Sequence, residues 1–135
     1  MKPIKKLEGK KVAIIGLGGS QVDCAISIQN SVKYDEVWCI NAAAAVYDCD
    51  RLFMLDPASR FLDSDDAGLQ TEVMRENLPK WKMPIYTCEL DERVPSAVVY
   101  PLEEVCNASS CAYMNTTVAF TIAFAYWCKV AKIDL

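Results

Sequence analysis

The residues best suited to chemistry in this chain are small and polar, and each stands at the end of an apolar run. Gly16-Leu17-Gly18-Gly19-Ser20 follows the run Val12-Ala13-Ile14-Ile15. Glycines in such a turn permit positive φ and let backbone N–H groups approach a phosphate with no Cβ in the way. A helix opening at Ser20 adds free N–H groups and the positive end of its dipole, which together suit an anion. Asn41 and Asp56 close two further apolar runs, and Asn115-Thr116 precedes a long one. Asn41 can hydrogen-bond a ribose or a base, or cap the alanine-rich stretch that follows it. Asp56, before Pro57, can hold a sugar hydroxyl or a Mg2+-bound phosphate, or cap a turn. It is the candidate catalytic and metal-binding residue. Asn115 and Thr116 can join the same site, or one of them can simply cap a helix.

Other charged groups have plainer readings. Asp63, Asp65 and Asp66 form an acidic cluster that can ligate a metal or line a solvated loop, and Arg60 can neutralise a phosphate. Histidine is absent, which removes Ser-His and Cys-His nucleophilic pairs and the commonest zinc ligand. The seven cysteines form no CxxC pair and mostly lie in apolar runs, so buried reduced thiols in a cytoplasmic protein are expected. A net charge of −4 disfavours a nucleic-acid partner. The exception is the lysine-rich start, Lys2, Lys5, Lys6, Lys10 and Lys11, read as a solvated tail. No signal peptide is expected, because the first residues are charged and the apolar run after them is short.

The elements that must position these groups follow from the hydrophobic pattern. At 135 residues, 53% hydrophobic and 24% charged, the chain suits one globular domain spanning 1–135. Continuous apolar runs at 11–15, 37–40, 52–55, 84–88 and 97–100 read as strands of a sheet covered on both faces, with 132–135 opening another. Helices are expected at 20–32, 42–47, 69–80 and 101–106, and from Asn115 or Thr116 through the apolar run at 117–130. Residues 58–68 and 107–115 read as polar loops. The run at 117–130 contains Lys129 and falls short of the roughly 20 residues a membrane span needs, so no membrane partner is expected. The chain stops inside an apparent strand, which suggests a C-terminally incomplete domain and a sheet edge prone to self-association into a homo-oligomer.

Alternating strands and helices imply an α/β fold: a Rossmann-like open, mostly parallel sheet of 5–6 strands flanked by helices. Ligands of such sheets bind beyond the carboxyl ends of the strands, where Gly16, Gly18, Gly19, Ser20, Asn41 and Asp56 all fall. A dinucleotide fingerprint wants a glycine near position 21, which is Gln21, and an acidic residue closing the second strand, which is Asn41. NAD is therefore disfavoured. S-adenosylmethionine is disfavoured for lack of the same acid, and no GxxxxGK[ST] motif occurs.

A strand ending in GxGxS, a second ending in Asn, then "CDRLFMLD" and a small-residue helix led by "NTT" resembles the MptE-like Rossmann family. That family includes archaeal pterin pyrophosphokinases, and the resemblance extends to its short phage and marine members. The GxGxS…N pattern is also similar to bacterial sialyltransferases that use CMP-sugars. The resemblance covers about residues 11–135 and implies a nucleotide-phosphate site at Gly16, Gly18, Ser20, Asn41 and Asp56. Such families continue with a G-x-D after the last strand, and this chain ends before one. Two functions are therefore expected as alternatives. One is a nucleotide- or nucleotide-sugar-binding transferase moving a phosphoryl, pyrophosphoryl or glycosyl group. The other is a non-catalytic, phage-type binding or oligomeric module.

Overall fold

The computed structural model describes residues 1–18, 23, 26, 32–111 and 114–135. Six strands form one sheet: β1 (Lys11–Ile15), β2 (Glu36–Ile40), β3 (Arg51–Phe53), β4 (Ile85–Thr87), β5 (Ala97–Val99) and β6 (Lys132–Asp134). Their spatial order is β5-β4-β3-β2-β1-β6, and every neighbouring pair is parallel. The expected Rossmann-like α/β class is the class observed. Alternate strand residues sort to opposite faces. Val12, Ile14, Trp38, Phe53 and Tyr86 belong to one core cluster, and Ile15, Cys39, Leu52 and Ile85 to the other.

The described helices are α1 (Ser59–Leu62), α2 (Gln70–Asn77), α3 (Leu102–Ser109) and α4 (Thr117–Trp127). From β1 to β5 the chain steps across the sheet in one direction, and right-handed crossovers then put the described elements between β3 and β4 on one face. Phe61 of α1 and Met74 of α2 join the core of that face. The return to β6 passes back over the sheet, so Val105 of α3 and Phe124 of α4 fill the opposite core. No helix of the described residues is long and apolar enough to cross a membrane.

Several elements depart from expectation. The polar stretch 58–68 contains α1, because Phe61 is a buried anchor within it. The 107–115 loop is shortened by α3, which runs to Ser109 and stops at Ser110 with φ 54. The alanine-rich segment is a 3-10 turn, Asn41–Ala45, and the helix expected at 69–80 is limited to α2. Strand β3 ends at Phe53, two residues early. The Leu55 N–H donates to Tyr86 O at 3.1 Å, and the Asp56 N–H folds back onto Met54 O at 2.7 Å. The helix expected at 20–32 lies largely outside the described residues.

The lysine-rich start is not a free tail. Leu7 is 1% exposed, and the Gly9 N–H donates to Lys129 O at 2.9 Å. Lys6 approaches Glu36 at 3.9 Å, and the Lys11 ammonium lies 4.9 Å from the Tyr34 ring centre. The cysteines also differ from expectation. Among those described, only Cys39 and Cys128 are buried, and Cys88 is exposed.

A buried polar network closes the amino end of the sheet. Glu36 and Arg51 open adjacent strands and meet as a two-pronged pair, Nε to Oε2 at 2.8 Å and Nη2 to Oε1 at 3.1 Å. The Trp38 indole donates to the same carboxylate at 2.7 Å, and Arg51 Nη1 donates to the Tyr86 hydroxyl at 3.1 Å. Burial acts to lower the guanidinium pKa, but the Glu36 hydrogen bonds and the neighbouring Tyr86 outweigh it, so the net shift is upward. Removing one partner of such a pair strands the other charge in the core. Glu36→Ala should therefore lose about 3–5 kcal/mol of stability in urea unfolding. The double replacement Glu36→Leu with Arg51→Met should recover most of that loss. A single-variant loss under about 1 kcal/mol, the value of an exposed pair, would contradict a buried network.

Candidate functional site

The carboxyl ends of β3, β4 and β5 and the start of α4 enclose a cleft of about 290 Å3. Its polar rim is Asp56, Asn115, Thr116 and Thr117. Its apolar wall is Leu55, Tyr100, Leu102 and Phe120, with Cys88 at the edge. Three of the residues singled out from sequence, Asp56, Asn115 and Thr116, are thus brought together from distant stretches of chain.

Each wall has a local cause. Leu55 carries φ 57, a left-handed conformation that costs a residue of its bulk about 1–2 kcal/mol. The turn it makes swings Asp56 across the end of β4, where the Thr87 hydroxyl donates to Asp56 O at 2.7 Å. The Asp56 carboxylate meets Arg60 Nη1 at 3.0 Å, one helical turn on, with both side chains partly exposed. Thr116 is the cap of α4: its Oγ1 accepts from the Ala119 N–H at 3.1 Å. The Tyr100 hydroxyl donates to Phe120 O at 2.6 Å, and the two rings meet edge to face at 5.4 Å. Burial pushes the Tyr100 phenol well above its ordinary pKa, so it holds its proton and serves as wall rather than as acid or base. Burial, reinforced by Glu89, likewise raises the Cys88 thiol, which leaves it a poor nucleophile.

Of the other sequence candidates, the described ones, Gly16, Gly18 and Asn41, are not among the lining residues of this cleft. Gly16 has no positive φ, and a Cβ built there would meet nothing within 4 Å, so the glycine leaves open space rather than permitting a tight turn. Gly18 is exposed. Gly19 and Ser20 lie outside the described residues, as does the start of the helix they were expected to open. Asn41 has φ 48 and opens the 3-10 turn, but its side chain caps nothing, and its buried Oδ1 has no hydrogen-bond partner.

Two of the three carboxylates of the acidic cluster, Asp63 and Asp65, are committed to arginines. Arg93 grips both Asp63 oxygens at 2.7 and 2.8 Å and also holds Asp91 at 2.7 Å. Arg75 pairs with Asp65 at 2.7 Å and donates to Phe61 O at 2.9 Å. Among the described residues, no group of three His, Cys, Asp or Glu side chains is placed to hold a metal ion. A cation at Asp56 would have to compete with Arg60. The residues that sequence reasoning missed are the apolar wall and Cys88. Tyr100 and Phe120 read as core in any sequence, and only the α3–α4 return brings them to the strand ends.

Fold and cleft together define a class: an open, all-parallel α/β sheet with a polar-rimmed, aromatic-backed cleft at its carboxyl end. No protein-family model, curated protein or solved structure matches the chain.

The arginine clamp carries a pH signature. The Arg93 hydrogen bonds hold the Asp91 carboxyl down to about 2 and lower Asp63 as well. An unfolded aspartate titrates near about 3.9, so the clamp contributes fully above that pH and is lost as pH falls toward about 2. The Asp91 side chain, followed by NMR, should titrate at about 2 and rise in Arg93→Gln, stopping short of the ordinary aspartate value because the residue-93 backbone N–H still donates to Asp91 Oδ1. A midpoint near about 3.9 in the unaltered chain would mean that the clamp does not form in solution.

Proposed function

We propose that this chain is a nucleotide- or nucleotide-sugar-binding protein whose ligand lies at the carboxyl end of the sheet. The convergence of Asp56, Asn115 and Thr116 on one cleft, beyond the strand ends where open α/β sheets take ligands, carries this reading. Gly16, with open space before its Cα, and Asn41, with an unpartnered amide oxygen, stand at the ends of β1 and β2 and suit the same ligand. The resemblance to the MptE-like family favours phosphoryl or pyrophosphoryl transfer, and that to CMP-sugar enzymes favours glycosyl transfer. In either reaction positioning and charge stabilisation would carry most of the rate, which suits a chain without histidine. Asp56 would orient a sugar hydroxyl or a Mg2+-bound phosphate, with Arg60 turning from the carboxylate to the ligand.

A second reading is a non-catalytic binding or oligomeric module. It is favoured by the ion pair that already occupies Asp56 and by Val118 and Tyr126, exposed on an uncharged helix.

A thermal-shift screen should separate these readings. The panel is ATP, GTP, CTP, CMP, UDP-sugars, NAD and S-adenosylmethionine, each with and without Mg2+. A ligand at 100 times its Kd should stabilise the fold by about 2.7 kcal/mol, and Asp56→Ala should abolish that shift. The variant itself should cost no more than about 1 kcal/mol, because its ion pair is partly exposed. An unaltered ligand response in Asp56→Ala would remove Asp56 from the site.

A further inference from the structure

Charge and hydrogen-bonding capacity are distributed unevenly around the cleft. Among the described lining residues Asp56 is the only formally charged one, and none of them is lysine or arginine. Arg60 already neutralises Asp56, and Glu89 follows Cys88 directly. A pyrophosphate placed here would meet a carboxylate without a dedicated cation. At the head of α4, the Ala119 N–H is already taken by the Thr116 hydroxyl. A neutral ring with hydroxyls fits the same groups well. Asp56 can accept from vicinal hydroxyls, and Asn115 offers both a donor and an acceptor to a base edge. Tyr100 spends its hydroxyl on Phe120 O, so it adds ring surface rather than polarity to the wall.

Size points the same way. About 290 Å3 is at the lower limit of the roughly 300–1,000 Å3 of small-molecule sites, enough for one compact ring system and too little for a whole dinucleotide or nucleotide-sugar. The open space before Gly16 lies outside this lining.

We propose that the cleft between Asp56 and the head of α4 takes the uncharged nucleoside part of the ligand, and that the phosphates lie outside it, toward Gly16. This assignment rests on the nucleotide-binding reading above and adds to it a division of the site into two parts.

Cys88 provides the reporter, because it is exposed, lies at the cleft edge and is the only cysteine in the tryptic fragment 83–93. Its alkylation by iodoacetamide, run at alkaline pH to offset the raised thiol pKa, would be followed by mass spectrometry with adenosine, guanosine, cytidine or uridine, and separately with sodium pyrophosphate. A nucleoside at ten times its Kd should slow the reaction roughly tenfold, whereas pyrophosphate should leave it unchanged. Asn115→Ala should weaken nucleoside protection without changing the rate in free protein, since Asn115 is an exposed side chain. Protection by pyrophosphate equal to that by nucleosides would overturn the division while leaving nucleotide binding intact. Nucleotides that stabilise the fold while no nucleoside protects Cys88 would overturn it in the same way. If no nucleotide stabilises the fold and no probe protects Cys88, the division and the reading beneath it fall together.

Discussion

The packing of Phe124 is the interaction on which the rest of this structure depends. Its buried ring lies 5.8 Å from Trp38, 5.3 Å from Phe53, 4.8 Å from Tyr86, 6.1 Å from Tyr100 and 5.7 Å from Trp127. Each such aromatic pair contributes about 0.5–1.5 kcal/mol beyond area burial. One residue thus ties α4 to β2, β3 and β4 together. That is feasible because α4 has no charged residue in eleven, so the helix can lay its apolar surface on the sheet at little desolvation cost. The cleft is a geometric consequence. With Phe124 fixed over the sheet, the head of the helix two turns earlier brings Thr116 and Asn115 to the same cleft as Asp56.

The two ends of the sheet have different characters. At the amino end, Glu36, Arg51, Trp38 and Tyr86 satisfy one another in a buried network. The N-terminal segment covers that end, with Leu7 in the core. At the carboxyl end, Asn41 and Leu55 take left-handed backbone, and Asn41 Oδ1 lacks a partner. Left-handed backbone at Ser110 and Lys129 follows the ends of α3 and α4, whereas at Asn41 and Leu55 it stands at strand ends and persists because the surrounding structure over-determines it. Here the over-determining structure is the aromatic core together with the arginine clamps on Asp63, Asp65 and Asp91. Those clamps fasten the segments after β3 and β4.

Much of the fold was legible in the sequence, for a simple reason. A parallel sheet covered on both faces writes its strands as continuous apolar runs, and 11–15, 37–40, 84–88 and 97–100 read that way. The cap Thr116 was legible because a hydroxyl stands directly before the first turn of an apolar helix. What was not legible depends on tertiary contacts. Phe61 turns a polar stretch into a helix because it has a core to enter, and Leu55 ends β3 early because Tyr86 O captures its N–H. The lysines at the start looked solvated because charge patterning does not reveal that Leu7 is an anchor among them. Of the site, the polar residues at strand ends could be found by position. Tyr100 and Phe120 could not, since an aromatic residue that lines a cleft and one that fills a core leave the same mark in a sequence. The ion pairs of Asp56, Asp63 and Asp65 were hidden for a similar reason: two of their three arginine partners lie far along the chain.

The central claim is that a ligand occupies the cleft where Asp56 faces the head of α4. Amide chemical-shift mapping during titration with ATP, CTP and a UDP-sugar tests it most directly, because it reports location independently of catalysis. The account predicts that at least one of them perturbs residues 55–60 and 114–120 and leaves the Glu36–Arg51 end of the sheet unchanged. Perturbations confined to other surfaces, or none from any of the three, would contradict it.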